Sequence, residues 1–225
     1  MNKSIKLIRF PSEKWKLVRG DESIELWTNE HGDVASLQYV DSVPDLPAAL
    51  EANNIDILRN RYRQVLTTHG RGIVSVELVE QAGLKGLEVI LKLPQKPFGM
   101  TYMALIIFPF SDFSFVIKYT CPEIGTTGIR DSVIGDKLSA NRKEEEKSNF
   151  KWWRKDPYSS KYDDVAIYNL SDREEYDSIF PNHPLSRARS YLRKLKESIS
   201  FDTALVDYPG FKAEKKQSNP WWKPW

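Results

Sequence analysis

The fold is decided by residues 72–138, GIVSVELVEQAGLKGLEVILKLPQKPFGMTYMALIIFPFSDFSFVIKYTCPEIGTTGIRDSVIGDKL. Four apolar segments follow one another there, at residues 73–80, 87–93, 101–108 and 113–119. The second alternates apolar side chains with Glu88 and Lys92, and the fourth does the same with Ser114 and Lys118. Such alternation is typical of antiparallel strands with one buried face. The third segment is apolar on both faces, which predicts a central strand covered on both sides.

The connectors between these segments have hairpin length and turn composition, with Gly83, Gly99 and Pro109 among their residues. The stretch therefore predicts a four-stranded meander. Behind it, apolar residues at helical spacing predict a helix: Ile129, Val133, Ile134 and Leu138. Thr126 or Thr127 is the expected N-cap, because a hydroxyl there can satisfy amides that the first turn leaves free.

The flanking regions add the remaining elements. Strands are predicted at residues 15–19, 24–28 and 34–40, and a helix at residues 55–68. A terminal helix begins at Pro184 and carries an apolar stripe of Leu185, Ala188, Leu192, Leu195 and Ile199. We therefore expect an α+β fold, an antiparallel sheet of about six to seven strands flanked by helices. Its order is β-β-β-α-β-β-β-β-α, then a C-terminal helix and an extended tail.

The expected organisation is one domain over residues 1–200 with a Pro/Trp-rich tail at 201–225. An irregular insertion is expected at about residues 139–183, where the composition shifts. A structureless connection of this length is uncommon in a compact domain, so it is expected to be functional, mobile or packed by its own aromatic side chains.

The element order and Trp15-Lys16, which leads into the first hairpin, resemble the PsbP-like sandwich superfamily. That group includes extrinsic photosystem subunits, Ran-release factors and several bacterial families. The resemblance covers roughly residues 10–140 and lies in hydrophobic pattern and element order rather than in a functional motif. It implies an antiparallel sheet flanked by helices, in a binding or scaffolding module more often than in an enzyme.

Composition narrows the functional classes. The 225 residues carry a net charge of +2, too small by itself to indicate a nucleic acid or a membrane as partner. Cys121 is the single cysteine, so no internal disulfide is expected. There is no apolar run of signal-peptide or bilayer-spanning length, and we expect a cytoplasmic protein.

Few residues of the sequence indicate catalysis or metal binding. His31, His69 and His183 have no further metal ligands at zinc-like spacing, so neither a metal site nor a cofactor is expected. An anion or small-ligand site, or an enzyme active site, is an alternative near Cys121, Thr127 and Arg130, because a helix N-terminus exposes amides there. The structural interpretation of the same residues is a helix start in which Arg130 pairs with a nearby acid.

Tryptophan-rich segments favour protein binding, because tryptophan is enriched at interfaces. The main hypothesis is a non-catalytic protein-binding module, of an accessory, chaperone or immunity type, that uses its sheet and these segments. The predicted contact residues are Trp152, Trp153, Arg187, Arg189, Trp221, Trp222 and Trp225. The C-terminal tail either folds back onto its own domain or docks on another chain, which leaves a homo-oligomer open.

Nucleic-acid binding is the second alternative. It would use arginines of the two helices: Arg59, Arg61, Arg63, Arg187, Arg189 and Arg193. The 31 acidic residues of the chain weigh against it.

Overall fold

A computed structural model describes residues 3–67, 70–140, 142 and 152–213. The strands are β1 Ile8–Arg9, β2 Lys16–Gly20, β3 Ile24–Thr28, β4 Val34–Val40, β5 Gly72–Gln81, β6 Leu84–Pro94, β7 Met100–Pro109, β8 Ser114–Pro122 and β9 Ser200–Phe201. The α-helices are α1 Ile55–Thr67, α2 Ile129–Ser139 and α3 Pro184–Ser198. Short 3₁₀ turns connect several of these elements.

Seven strands form one antiparallel sheet in the order β2-β3-β4-β8-β7-β6-β5. The β5–β8 meander occupies one half and the β2–β4 meander the other, and β4 pairs with β8 between them. β1 and β9 form a separate two-stranded ribbon. The predicted α+β fold and its element order are confirmed.

One face of the sheet packs against α3. Leu185, Ala188 and Leu192 of the helix share one apolar cluster with alternate residues of the central strands, such as Ala35 and Ile117. We call this cluster the α3-side core. Because its helical members lie on one stripe of α3, the helix buries its apolar side against the sheet, as its spacing predicts.

The opposite face packs against α1 over the β5–β8 half. Leu58, Tyr62 and Leu66 of the helix join alternate residues of β5 to β8, such as Val89 and Leu105, in a second cluster, here the α1-side core. The two cores use opposite side-chain sets of the same strands, which explains why β7 is apolar on both faces.

The β5 edge of the sheet is covered by the segment that follows α2. The Tyr158 hydroxyl accepts a hydrogen bond from the Val76 amide at 2.6 Å and donates one to Glu77 Oε1 at 2.7 Å. Arg59 Nε donates to the Val76 carbonyl at 3.2 Å. Side chains therefore satisfy this stretch of edge backbone, which protects it from pairing with another strand.

The start of α2 differs from the sequence prediction. The helix begins at Ile129, and its N-cap is Gly128 in the left-handed region at φ 74° rather than Thr126 or Thr127. No described side chain caps the first turn, and Glu123 Oε1 accepts from the amide of Gly128 itself at 3.1 Å.

The first described residues of the predicted tail contact the sheet domain. Leu205 is fully buried in the α3-side core, and the Ser111 amide donates to the Pro209 carbonyl at 3.0 Å. Residues 201–210 thus pack onto the sheet domain.

Among the helices of the described ranges, none combines the length and the apolar character that a membrane span requires.

Candidate functional site

Arg130 is the anion ligand of the alternative prediction. In the structure it forms hydrogen bonds within the protein. Its guanidinium is fully buried and donates to Asp177 Oδ1 and Ser186 Oγ, both at 2.9 Å. It also donates to the carbonyls of Ser171 at 2.7 Å and Arg173 at 2.8 Å. The anion-site alternative is corrected here, because these partners leave the guanidinium unavailable to a ligand from solvent.

Cys121 does not have the environment of a nucleophile. Its side chain is fully buried, and burial raises the pKa of the thiol, with the Asp33 carboxylate adding to the rise. A thiol with a raised pKa carries little of the reactive thiolate. Thr127 is half-buried on the loop before α2, with its methyl group beside Gly99. The predicted trio of Cys121, Thr127 and Arg130 therefore does not form a catalytic group.

A cleft of about 490 Å³ does lie nearby, with Glu123, His183 and Arg187 among its lining residues. Both Glu123 and His183 already have partners within the protein. His183 Nδ1 accepts from the Leu185 amide, and its Nε2 lies 3.5 Å from Glu123 Oε1. Burial acts to raise the pKa of Glu123, but hydrogen bonds from His183 and two backbone amides outweigh it and lower the pKa.

The arginines of the nucleic-acid hypothesis are also paired with carboxylates. The pairs are Arg59–Glu77 at 2.9 Å, Arg61–Asp45 at 3.6 Å, Arg63–Asp156 at 2.7 Å, Arg187–Asp33 at 2.7 Å, Arg189–Asp177 at 2.9 Å and Arg193–Glu174 at 2.8 Å. A phosphate backbone would have to compete with these carboxylates for each guanidinium.

Arg187 and Arg189 lie in internal ion pairs rather than on the partner-binding surface expected from the helix pattern. Their side chains are only 12% and 11% exposed, and each reaches a buried or nearly buried carboxylate. The expectation is corrected here, because a long side chain on the border of an amphipathic helix can fold back onto the protein.

Trp152 and Trp153 are half-buried and pack locally. Their ring centroids lie 5.6 Å apart in an edge-to-face arrangement, and the Arg142 guanidinium lies 4.3 Å from the Trp152 ring centroid. Trp153 packs beside Gly135 of α2. The other predicted contact residues, Trp221, Trp222 and Trp225, lie outside the described residues.

A different surface is present on the half of the sheet formed by β2, β3, β4 and β8. On the face that α1 covers elsewhere, strand register and alternation place ten side chains side by side. We call this set the open face: Lys16, Arg19, Ile24, Leu26, Thr28, Val34, Ser36, Gln38, Lys118 and Thr120. None of its apolar members, Ile24, Leu26 and Val34, belongs to either core.

The open face is basic as well as apolar. Lys16, Arg19 and Lys118 are its charged members, and it contains neither Asp nor Glu. Arg19 has a loose surface contact with Asp21 at 3.8 Å, outside the set. Lys118 is half-buried, and no described residue forms a hydrogen bond or ion pair with it. Burial lowers the pKa of Lys118.

Sequence reasoning missed this site because Lys118 looked like an ordinary polar member of an alternating strand. One signal was present. The neighbouring segment, residues 101–108, is apolar on both faces, which indicates that a strand beside it lies near the sheet centre. A lysine in a central strand needs either a partner or an opening to solvent.

The described residues contain no group of three or more His, Cys, Asp or Glu side chains placed to hold a metal ion. His69, one of the three histidines of the sequence, lies outside the described ranges.

Comparisons with known proteins identify neither a family nor a function for this chain. No protein-family model matches the chain, and no curated protein shows significant similarity to it. A crystal structure from Bacteroides thetaiotaomicron overlaps 56% of this chain and 42% of its own, with 15% identity and a TM-score of 0.33. Such a low score carries no conclusion about fold or function. The resemblance to the PsbP-like superfamily stays a prediction.

Proposed function

We propose that this protein is a non-catalytic binding module whose open face holds a partner protein with an acidic and apolar surface. The observation that carries the proposal is the asymmetry of the sheet. Strands β5 to β7 are covered on both faces by the chain itself, whereas Ile24, Leu26 and Val34 lie outside both cores. An apolar patch with polar surroundings is a common feature of protein interaction sites.

Charge favours an acidic partner. Three positive charges and no negative ones lie on the open face, so an acidic surface would be both attracted to it and oriented by it. A second copy of this chain would bring the same basic face and would be repelled.

The edge strand β2 supports a different partner rather than self-association. It is short, contains an irregular register between Leu17 and Arg19, and carries Lys16 and Arg19. These features disfavour edge-to-edge pairing of identical sheets.

A nucleic acid fits the open face less well. Sheet surfaces that bind single-stranded nucleic acids present aromatic rings on which bases stack, and none of the ten side chains is aromatic. The arginines proposed for phosphate contacts are paired with carboxylates.

The test compares the full chain with Val34→Asp on the open face. Val165→Asp, at an exposed residue outside the open face, is the matched control, since Val34 and Val165 are 40% and 55% exposed. The full chain is used to capture proteins from a cell lysate. Each captured protein is identified, purified and titrated against each variant. We expect an acidic protein to bind the full chain and the control equally, and Val34→Asp about tenfold more weakly.

Equal binding by Val34→Asp would contradict the proposal. Capture that disappears after nuclease treatment would favour the nucleic-acid alternative. A chain ending at Ala213 tests the separate prediction that Trp221, Trp222 and Trp225 contact a partner.

A further inference from the structure

Lys118 and the buried cations that the structure describes differ in whether they have a carboxylate partner. Lys92, Arg63 and Arg130 each have a carboxylate within 2.9 Å. Lys118 has no such partner among the described residues, although it is half-buried in the central strand β8. An unpaired cation that has lost part of its hydration destabilises the folded protein.

Ser36 lies directly beside it. The two residues are register partners across β4 and β8, and their side chains lie on the same face. Ser36 is 1% exposed, and its Oγ is buried without a hydrogen-bond partner in the described part of the chain. An unsatisfied buried hydroxyl is uncommon and needs an explanation.

We propose that Lys118 and Ser36 form a receptor for a carboxylate, supplied by an Asp or Glu side chain of the partner protein. This inference rests on the proposed function and names the group recognised at the centre of the open face. A carboxylate oxygen can accept hydrogen bonds from both an ammonium and a hydroxyl, so one ligand would satisfy both unpaired groups.

A carboxylate fits better than a phosphate. A phosphate monoester carries nearly two negative charges and is usually held by several cations. Lys16 and Arg19 lie on β2, three strand spacings from β8, which is roughly 14 Å. No other cation of the open face therefore lies on a strand next to the pair. The neighbours of the pair across the sheet, Leu26 and Leu105, are apolar.

The first experiment uses the full chain and sodium acetate as the probe. With ¹³C-labelled lysine, the Lys118 Cε signal is assigned by its loss in Lys118→Met. We expect acetate to shift this signal in a saturable way, whereas sodium chloride at equal ionic strength does not. Ser36→Ala should weaken acetate binding about fivefold, the loss of one hydrogen bond. Lys16 is the exposed control and should respond to ionic strength alone.

An acetate response at Lys118 no larger than at Lys16 would overturn the inference. A tighter response to inorganic phosphate than to acetate would overturn the assignment to a carboxylate.

A second measurement separates this inference from the proposed function. Lys118→Met should weaken binding of the purified partner by about tenfold, while raising the melting temperature of the free protein by roughly 3 °C. If Val34→Asp abolishes binding but Lys118→Met and acetate have no effect, the inference fails and the proposed function stands. If acetate binds but no partner depends on Val34, the proposed function fails.

Discussion

The ammonium of Lys92 lies 2.9 Å from Asp172 Oδ2, and the two side chains are 1% and 0% exposed. This pair joins strand β6 to a segment 80 residues further along the chain. Asp172 also accepts from the Tyr102 hydroxyl at 3.0 Å and the Asn169 amide at 3.0 Å. The arrangement shows what a lysine in a buried strand requires, and no described residue gives Lys118, on the opposite face, such a partner.

Breaking this pair should destabilise the protein strongly. Asp172→Asn keeps an acceptor for Tyr102 but leaves the Lys92 ammonium poorly compensated, and we expect a loss of about 3 kcal/mol in unfolding free energy. Adding Lys92→Met should recover most of that loss, because the unpaired charge disappears. Urea unfolding measures both.

Glu174→Gln, which breaks the exposed Arg193–Glu174 pair, is the control and should change stability by less than about 1 kcal/mol. A loss for Asp172→Asn as small as the control's would contradict the prediction.

The hydroxyl of Tyr158 should protect the β5 edge. Tyr158→Phe removes the acceptor of the Val76 amide, and we expect a loss of about 1–2 kcal/mol. Hydrogen exchange should show faster exchange at Val76 than in the wild-type protein, with the β8 amides unchanged. Unaltered exchange at Val76 would mean that the hydroxyl does not protect this edge.

Two glycines should respond differently to alanine. A Cβ at Gly72 would lie 2.9 Å from Ile167 Cβ, so Gly72→Ala must displace the covering segment, and we expect a loss of about 1–3 kcal/mol. A Cβ at Gly210 would meet no atom within 4 Å, and Gly210→Ala should stay within about 0.5 kcal/mol of wild type. Thermal unfolding compares the two. Equal stability of both variants would show that Ile167 does not pack against Gly72 in solution.

Buried tyrosines should limit stability at alkaline pH. Burial raises the pKa of Tyr62, Tyr102 and Tyr119 above the ordinary value. The unfolded chain then loses these protons at about pH 10 while the folded protein retains them. Stability is therefore fully present below about pH 10 and falls as the pH rises beyond it.

Tyr62→Phe measures the contribution of one such group. Above about pH 10 its unfolding free energy should fall less steeply than that of wild type, by up to about 1.4 kcal/mol per pH unit. The two curves should differ by a constant amount at lower pH. If the two curves stay parallel above pH 10, Tyr62 has the same pKa in the folded and the unfolded protein.

Local pattern was enough to predict most of the sheet. Alternation in residues 87–93 and 113–119, with turn residues between the segments, predicted strands whose observed bounds differ only at their ends. The apolar stripe behind Pro184 likewise predicted α3 and the side it buries. These signals lie within a few residues of one another, because strand and helix periodicities are local properties of the backbone.

The partners of the charged residues could not be predicted in this way. Arg63 meets Asp156 and Arg187 meets Asp33 across separations of 93 and 154 residues. Only tertiary packing brings such groups together, so the same arginines looked available for a ligand in the sequence.

The open face likewise depends partly on local pattern and partly on tertiary packing. The alternation of β8 predicts that Lys118 shares a face with Ser114. Tertiary packing instead determines that Val116 is the β8 member of the α1-side core and that no described carboxylate reaches Lys118. Which residues lie on a face is a matter of local geometry, but whether that face is covered depends on where distant elements pack.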